Sequence, residues 1–159
     1  MITGRGWGID PNPYDNDYSY YLSPEVINLA GKTCSRMPPQ YPRKNVYGAT
    51  GGFVNKWSNG HIVDSAVVIC GGYDEENDEY LKECYTLKKG DSTWTLLGNL
   101  QEGRKGANGI VMGYMLIVIG GQKSDGNGAC GTIESISIDG EAMQIEVLKR
   151  DHFTNHNIK

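Results

Sequence analysis

The sequence predicts an all-β protein built from repeated four-stranded antiparallel units. The stretch "VVICGGY" (residues 67–73) ends an apolar run in two glycines, and "LIVIGGQ" (residues 116–122) does so again 49 residues later. Short β-branched and aromatic segments recur along the chain, separated by Gly, Asn, Asp and Ser, which is typical of strands and turns. We find no amphipathic helical pattern, so strands alone are expected to form the core.

The middle unit, roughly residues 43–103, has the clearest pattern of four strands. "YGATGGFV" and "DSAVVICGG" predict one hairpin around a projecting loop at residues 55–65, which carries Trp57 and His61. "KECYTLK" and "STWTLLG" predict a second hairpin around Lys89 and Gly90. Both hairpins are bounded by turn-forming residues, as antiparallel neighbours require.

The flanking units follow the same plan less completely. In the third unit, roughly 104–150, "MLIVIGG" and "IESISIDGEAMQIEVL" align with the middle unit. In the first, roughly 1–42, "MITGRG" takes the Gly-Gly place and "PEVINLAGKTCSRMPP" predicts the following strand pair. Residues 151–159 are a tail or the start of a further unit. The whole chain therefore forms one repeat array.

Several features together resemble the kelch repeat. They are a Gly-Gly pair after the second strand (Gly71-Gly72 and Gly120-Gly121), Tyr85 followed nine residues later by Trp94, and Arg104 soon after the fourth strand. The resemblance covers essentially the whole chain and implies a segment of a β-propeller with four-stranded antiparallel blades. It also implies that the glycines shape the backbone and that the aromatic pair packs between blades.

Two nearly complete units and half of another are too few to close a propeller, which usually needs about four to eight blades. Open ends would leave apolar surface in water. We therefore expect the chain either to belong to a longer propeller or to join a second copy in a six-unit ring, since two-fold closure is common.

Composition and motifs exclude several function classes. The net charge of −4 and pI near 5.3 disfavour nucleic acid and anionic membranes, which attract basic proteins. Neither a signal peptide nor an apolar span long enough for a membrane helix is visible. "GRGWG" is followed by "IDPNPYDND", which cannot be the helix of a dinucleotide site, and "GGQKSDGNG" lacks the phosphate-loop ending.

The histidines predict no catalytic or metal site. His152 and His156 are four residues apart, but no third ligand or helix signal accompanies them, so a solvated tail is expected. His61 has no acid or thiol arranged with it as a triad.

Two cysteines bear on the compartment. Cys70 and Cys84 both stand in the middle unit, and both are absent from the matching places in the other units. A cross-strand disulfide would produce this pattern, and secreted kelch-like proteins of animals are similar in carrying such a pair. Two buried free thiols are the alternative. The chain is expected to be extracellular with the disulfide and cytoplasmic without it; Cys34 and Cys130 are expected to be free.

Function is expected in loops held by the rigid units. In a four-stranded antiparallel unit, the loop from strand 2 to strand 3 opens on the same face as the connection to the next unit. That face would gather tyrosines and acids, with basic residues at its rim. The predicted partner-binding residues are Tyr14, Tyr18, Tyr20, Tyr21, Tyr73, Asp74, Glu75, Glu76, Tyr80, Arg43 and Arg104, with Lys44 and Lys105 beside them.

Such a surface predicts a non-enzymatic module that binds a protein or basic peptide, without a cofactor. Solvated turn-rich loops are the plain alternative. Two further functions stay open: a fragment of a copper-radical oxidase similar to galactose oxidase, which needs more ligands than three histidines readily supply, and a calcium- or glycan-binding extracellular module. For calcium, the candidate ligands are Asp10, Asn12, Asp15 and Asp17, although the EF-hand spacing is absent.

Overall fold

The computed structural model of the chain describes residues 25–28, 31–36, 41–43, 46–88, 90–123, 128–138 and 145–148. In this part of the chain, no helix is long and apolar enough to cross a membrane. The strands are β1 (Glu25–Asn28), β2 (Thr33–Arg36), β3 (Val46–Tyr47), β4 (Thr50–Ser58), β5 (His61–Cys70), β6 (Tyr73–Asp74), β7 (Glu79–Tyr80), β8 (Glu83–Lys88), β9 (Thr95–Asn99), β10 (Arg104–Lys105), β11 (Asn108–Met112), β12 (Met115–Ile119), β13 (Gln122–Lys123), β14 (Ile133–Ser137) and β15 (Ile145–Leu148).

The predicted all-β, antiparallel architecture is confirmed as several small sheets. The first sheet has the order β4-β5-β8-β9, and the second has the order β11-β12-β14-β15. Both are meanders in which consecutive long strands are neighbours, and every pairing is antiparallel. The strand pair predicted in the first unit is the ribbon of β1 and β2.

The apolar run on β5 is buried on both of its faces. Alternate side chains of a strand point to opposite sides of the sheet. Ala66, Val68 and Cys70 join one cluster, which also holds Leu116 and Ile136 of the second sheet. The intervening Val67 and Ile69 join another cluster, which packs around Tyr41, Leu87 and Trp94. The "AVVIC" run is therefore continuous because neither face of the strand meets water at residues 66–70.

The loop predicted at residues 55–65 is wrong in extent, because the two strands continue almost to the tip of the hairpin. Only Asn59 and Gly60 form the turn, and both have positive φ angles, of 50° and 78°. An Asn-Gly pair of this kind closes a two-residue hairpin whose twist matches the strands. Trp57 lies on β4 beyond a register shift and is 58% exposed. The segment thus projects as paired strands.

The two Gly-Gly turns form the same backbone hydrogen bonds. Gly71 N–H donates to Glu83 O (3.0 Å) and Leu81 N–H to Gly72 O (2.8 Å). The bonds from Gly120 N–H to Thr132 O (3.4 Å) and from Cys130 N–H to Gly121 O (2.6 Å) join positions 49 residues further on. The repeat detected in the sequence is therefore a repeat of backbone geometry.

Glycine is required at residue 71 for two physical reasons. Its φ angle is +66°, and a Cβ atom there would stand 2.6 Å from the backbone oxygen of Arg104. Gly72, at φ +109°, is equally crowded, since its Cβ would lie 2.6 Å from Val46 Cγ1. This backbone conformation is strained for residues with a side chain.

Cys70 and Cys84 are opposite each other on β5 and β8 and form a disulfide. Both side chains are buried in the cluster shared by the two sheets. The bridge therefore joins the central strands of the first sheet at the surface that packs against the second. The remaining cysteine whose side chain is described, Cys130, is a buried free thiol.

We expect Gly71→Ala to lower the free energy of unfolding by more than about 2 kcal/mol, because strain at a positive φ angle adds to a backbone clash. Gly113→Ala is the matched control: its φ is +59°, but no atom lies within 4 Å of the added Cβ. That variant should lose about 1 kcal/mol. Urea unfolding followed by tryptophan fluorescence measures both, and equal losses would contradict the role of close approach.

Reduction of the Cys70–Cys84 bond should lower the free energy of unfolding by about 3 kcal/mol, since it closes a loop with a sequence separation of 14. The measurement is urea unfolding with and without dithiothreitol. Cys130→Ala should keep the sensitivity to reductant, whereas Cys70→Ala/Cys84→Ala should lose it. A wild-type midpoint that dithiothreitol leaves unchanged would argue for two free thiols in solution.

Candidate functional site

Three tyrosines stand side by side at the end of the first sheet. A small sheet of β3, β6 and β7 pairs Tyr47 with Tyr73 and Tyr73 with Tyr80 directly across the strands. Residues opposite each other in neighbouring strands share a face, so the rings form a row. The ring centroids of Tyr47 and Tyr73 are 5.3 Å apart, and those of Tyr73 and Tyr80 are 5.0 Å apart. We call these three residues the tyrosine row.

A lysine from the next connection lies over all three rings. Lys105, on β10, places its Nζ atom 5.2 Å from the ring centroid of Tyr47, 4.4 Å from that of Tyr73 and 5.1 Å from that of Tyr80. Its ammonium also lies 3.5 Å from the Tyr47 hydroxyl. All four side chains are half-buried. A cation within about 6 Å of an aromatic face is attracted by the negative face of the ring.

Hydrogen bonds raise the pKa of the Tyr73 phenol and of the Lys105 ammonium. The Tyr73 hydroxyl donates to Asp78 Oδ1, and this bond raises the pKa of Tyr73 to about 12. Partial desolvation by itself would lower the pKa of the Lys105 ammonium, but contacts with Tyr47 and Tyr80 outweigh it and leave that pKa raised. At neutral pH the Tyr73 phenol is therefore neutral and the Lys105 amine is protonated.

An exposed turn of residues 75–78 connects β6 to β7; together with Glu79, the first residue of β7, it is called here the acidic turn. It carries Glu75, Glu76, Asp78 and Glu79, all exposed. The turn is anchored by Asp74, which was predicted to bind a partner but is only 2% exposed. Asp74 Oδ1 accepts hydrogen bonds from the backbone N–H groups at positions 76 and 77, and Oδ2 accepts one from the Asn77 amide. We therefore assign Asp74 to the turn itself.

Arg104, also predicted to bind a partner, is buried inside the fold and is 1% exposed. Its guanidinium donates to Gly120 O (3.1 Å), Thr132 O (3.2 Å) and Thr132 Oγ1 (2.8 Å), and forms a buried ion pair with Glu134. Glu134 also accepts a 2.7 Å hydrogen bond from Gln101 N–H. Arg104 was predicted at the rim of the binding face because it lies in the connection to the next unit, and its burial corrects that prediction.

Arg43 lies two residues after Tyr41, which belongs to a second aromatic cluster. The guanidinium of Arg43, which was predicted to bind a partner, forms an ion pair with Glu83 of the same chain. Partial burial would raise the pKa of the Glu83 carboxyl, but backbone N–H groups and Arg43 outweigh it, so the pKa is lowered. The rings of Tyr85 and Trp94 both meet Tyr41 edge-on, at centroid distances of 5.5 and 5.3 Å. This cluster packs against the first sheet.

Several predicted residues lie outside the described part of the chain. These are Tyr14, Tyr18, Tyr20, Tyr21 and Lys44, the candidate calcium ligands Asp10, Asn12, Asp15 and Asp17, and His152 and His156. His61 is exposed beside the hairpin turn. Among the described residues, no three His, Cys, Asp or Glu side chains are grouped so that they could hold a metal ion.

The sequence-based site contained Tyr73 and Tyr80 but omitted Tyr47. Lys105 was named only as a rim residue. One signal could have found both: "YGATG" at residues 47–51 aligns with "KGANG" at 105–109, which makes Tyr47 and Lys105 equivalent positions in successive units. Each begins the connection into a new sheet, beside the Gly-Gly turn. Their contact, however, depends on how two units are placed next to each other.

Arg104→Met should lower the free energy of unfolding by about 3–5 kcal/mol, because it leaves the Glu134 carboxylate buried without its cation. Replacing both residues, in Arg104→Met/Glu134→Met, should recover part of this loss. Equilibrium urea unfolding of the three proteins measures the effect. A single variant within about 1 kcal/mol of the wild-type chain would show that the ion pair contributes little to stability.

A scan against protein-family models gives no match to this chain, and a comparison with curated proteins finds no significantly similar sequence.

Proposed function

We propose that the chain is a kelch-like β-propeller segment that acts as a non-enzymatic protein-interaction module. Its contact surface is the tyrosine row together with the acidic turn. The observation that carries the proposal is the alignment of three half-buried tyrosines on adjacent strands, directly beside exposed carboxylates. The proposal assigns no catalytic residue and no cofactor.

The arrangement of the sheets supports the propeller part of the proposal. Two four-stranded antiparallel meanders share a core, and their Gly-Gly turns repeat the same hydrogen bonds 49 residues apart. Propeller blades are four-stranded sheets repeated in this way. Either a longer chain or a second copy would supply the remaining blades.

Tyrosine suits a binding surface because its large ring offers contact area and a polar tip at low conformational cost. Here the backbone pairing of β3, β6 and β7 already sets the spacing of the rings. The hydrogen bond from Tyr73 to Asp78 holds the central ring to the turn. A surface that is ordered before binding loses less entropy when the partner arrives.

The acidic turn favours a basic partner. Four exposed carboxylates lie within five residues, on a turn that Asp74 holds in shape through three hydrogen bonds. Complementary charge raises the rate of encounter and excludes acidic competitors. A peptide with lysine or arginine beside an apolar or aromatic residue would meet both the carboxylates and the rings.

The test is selection of peptides from a displayed random library on the purified chain. We expect enrichment of basic peptides, and we expect Tyr73→Ser/Tyr80→Ser to bind a synthesised selected peptide at least about tenfold more weakly, a loss of about 1.4 kcal/mol. Calorimetry or fluorescence anisotropy measures the affinities.

Tyr114→Ser is the matched control, since Tyr114 is 40% exposed and lies outside the tyrosine row. This variant should bind the peptides as the wild-type chain does. If no peptide is enriched, or if the double variant binds as tightly as the control, the tyrosine row is not the interaction surface.

A further inference from the structure

The three rings of the tyrosine row form three sides of a site for a cation. Lys105 Nζ lies between 4.4 and 5.2 Å from all three ring centroids. Several aromatic faces around one ammonium form the arrangement that recognises quaternary ammonium ligands. The cation in this site comes from the chain itself, as the side chain of the next repeat connection.

The rings and the lysine are held in different ways. The rings are positioned by paired backbone in one small sheet, and the Tyr73 hydroxyl is bonded to Asp78. Lys105 belongs to another two-stranded sheet, where its backbone pairs with Gln122. Only its flexible side chain reaches the rings. The lysine can therefore leave the site by rotation of its side chain, while the tyrosine row stays in place.

The polar contacts of the ammonium are with the phenol hydroxyls of Tyr47 and Tyr80. Its hydrogen bond to the Tyr47 hydroxyl is long, at 3.5 Å. Within the described part of the chain, the ion pairs at this end involve other residues, such as Lys123 with Glu102. A primary ammonium is compact and strongly hydrated, so it loses much hydration when it approaches rings. An alkylated ammonium is less hydrated and offers methyl groups to the same faces.

We propose that the tyrosine row is a binding site for an alkylammonium group, and that Lys105 is an internal occupant that a ligand displaces. This inference rests on the proposed function, because it names the chemistry that the same surface binds. The ligand group is the trimethylammonium type, carried either by a methylated lysine of a partner peptide or by a free small cation. Exposed Glu76, Asp78 and Glu79 of the adjacent turn add attraction for either source.

Choline is the probe, and 3,3-dimethyl-1-butanol is the neutral control, since it has the same shape without the charge. Lys105→Ala empties the site, so choline should bind this variant at least about tenfold more tightly than the wild-type chain, whose site is already occupied. Lys105→Arg keeps a cation there and should behave as wild type. Calorimetry gives the affinities, and shifts of the tyrosine ring signals in NMR spectra locate the ligand.

Two substitutions in the rings test the location. In the Lys105→Ala background, Tyr73→Leu should abolish choline binding. If that variant does not fold, Tyr80→Leu replaces it in the test and should weaken choline binding. Tyr114→Leu in the same background should have no effect. A trimethyl-lysine peptide that binds more tightly than choline identifies a peptide side chain as the source, and equal affinities identify a free cation.

The inference is overturned if Lys105→Ala binds choline no better than wild type, or binds the neutral alcohol equally well. Its failure is distinguishable from failure of the proposed function. If selected peptides require Tyr73 and Tyr80 but choline does not bind, the interaction surface is supported and the cation site is rejected. If choline binds but no peptide is selected, the cation site is supported and the peptide-binding surface is rejected.

Discussion

The buried ion pair of Arg104 with Glu134 is the interaction on which the association of the two repeats depends. The backbone of Arg104 accepts a hydrogen bond from Gly72 N–H and donates one to Leu81 O, at the turn of the first sheet. Its side chain reaches Gly120, Thr132 and Glu134 at the equivalent turn of the second. Because an unpaired buried charge is very costly, the fold is stable only when these partners lie together around the guanidinium. One residue thus connects both Gly-Gly turns.

This connection also positions the candidate site. Lys105 follows Arg104 on β10, so fixing Arg104 in the core places the next side chain at the surface beside β3, β6 and β7. Alternate residues of a strand face opposite ways. Burial of the Arg104 guanidinium on one side of β10 therefore places the Lys105 ammonium on the other side, over the tyrosine row. The buried ion pair and the proposed binding site thus use neighbouring residues of one short strand.

The disulfide and the aromatic clusters stabilise opposite faces of the first sheet. Cys70 and Cys84 lie in the core shared with the second sheet, while Tyr41, Leu87 and Trp94 cover the other face. Both faces of β5 are buried at residues 66–70, and the Gly-Gly turn and the small sheet extend from this buried end. A binding surface built on paired strands keeps its geometry better than one on an unsupported loop.

The sequence by itself determined the long strands of the two main sheets, their antiparallel order and the repeated Gly-Gly turns, because these follow from local strand patterns and from the regular spacing of glycines. The binding surface predicted from the sequence also included Tyr73 and Tyr80. Only the tertiary structure decided that Arg104 and Asp74 are buried, and that Tyr47 and Lys105 meet the other tyrosines. A charged residue looks the same in sequence whether it faces water or a buried partner. That choice depends on contacts between segments far apart in the chain, which no local pattern specifies.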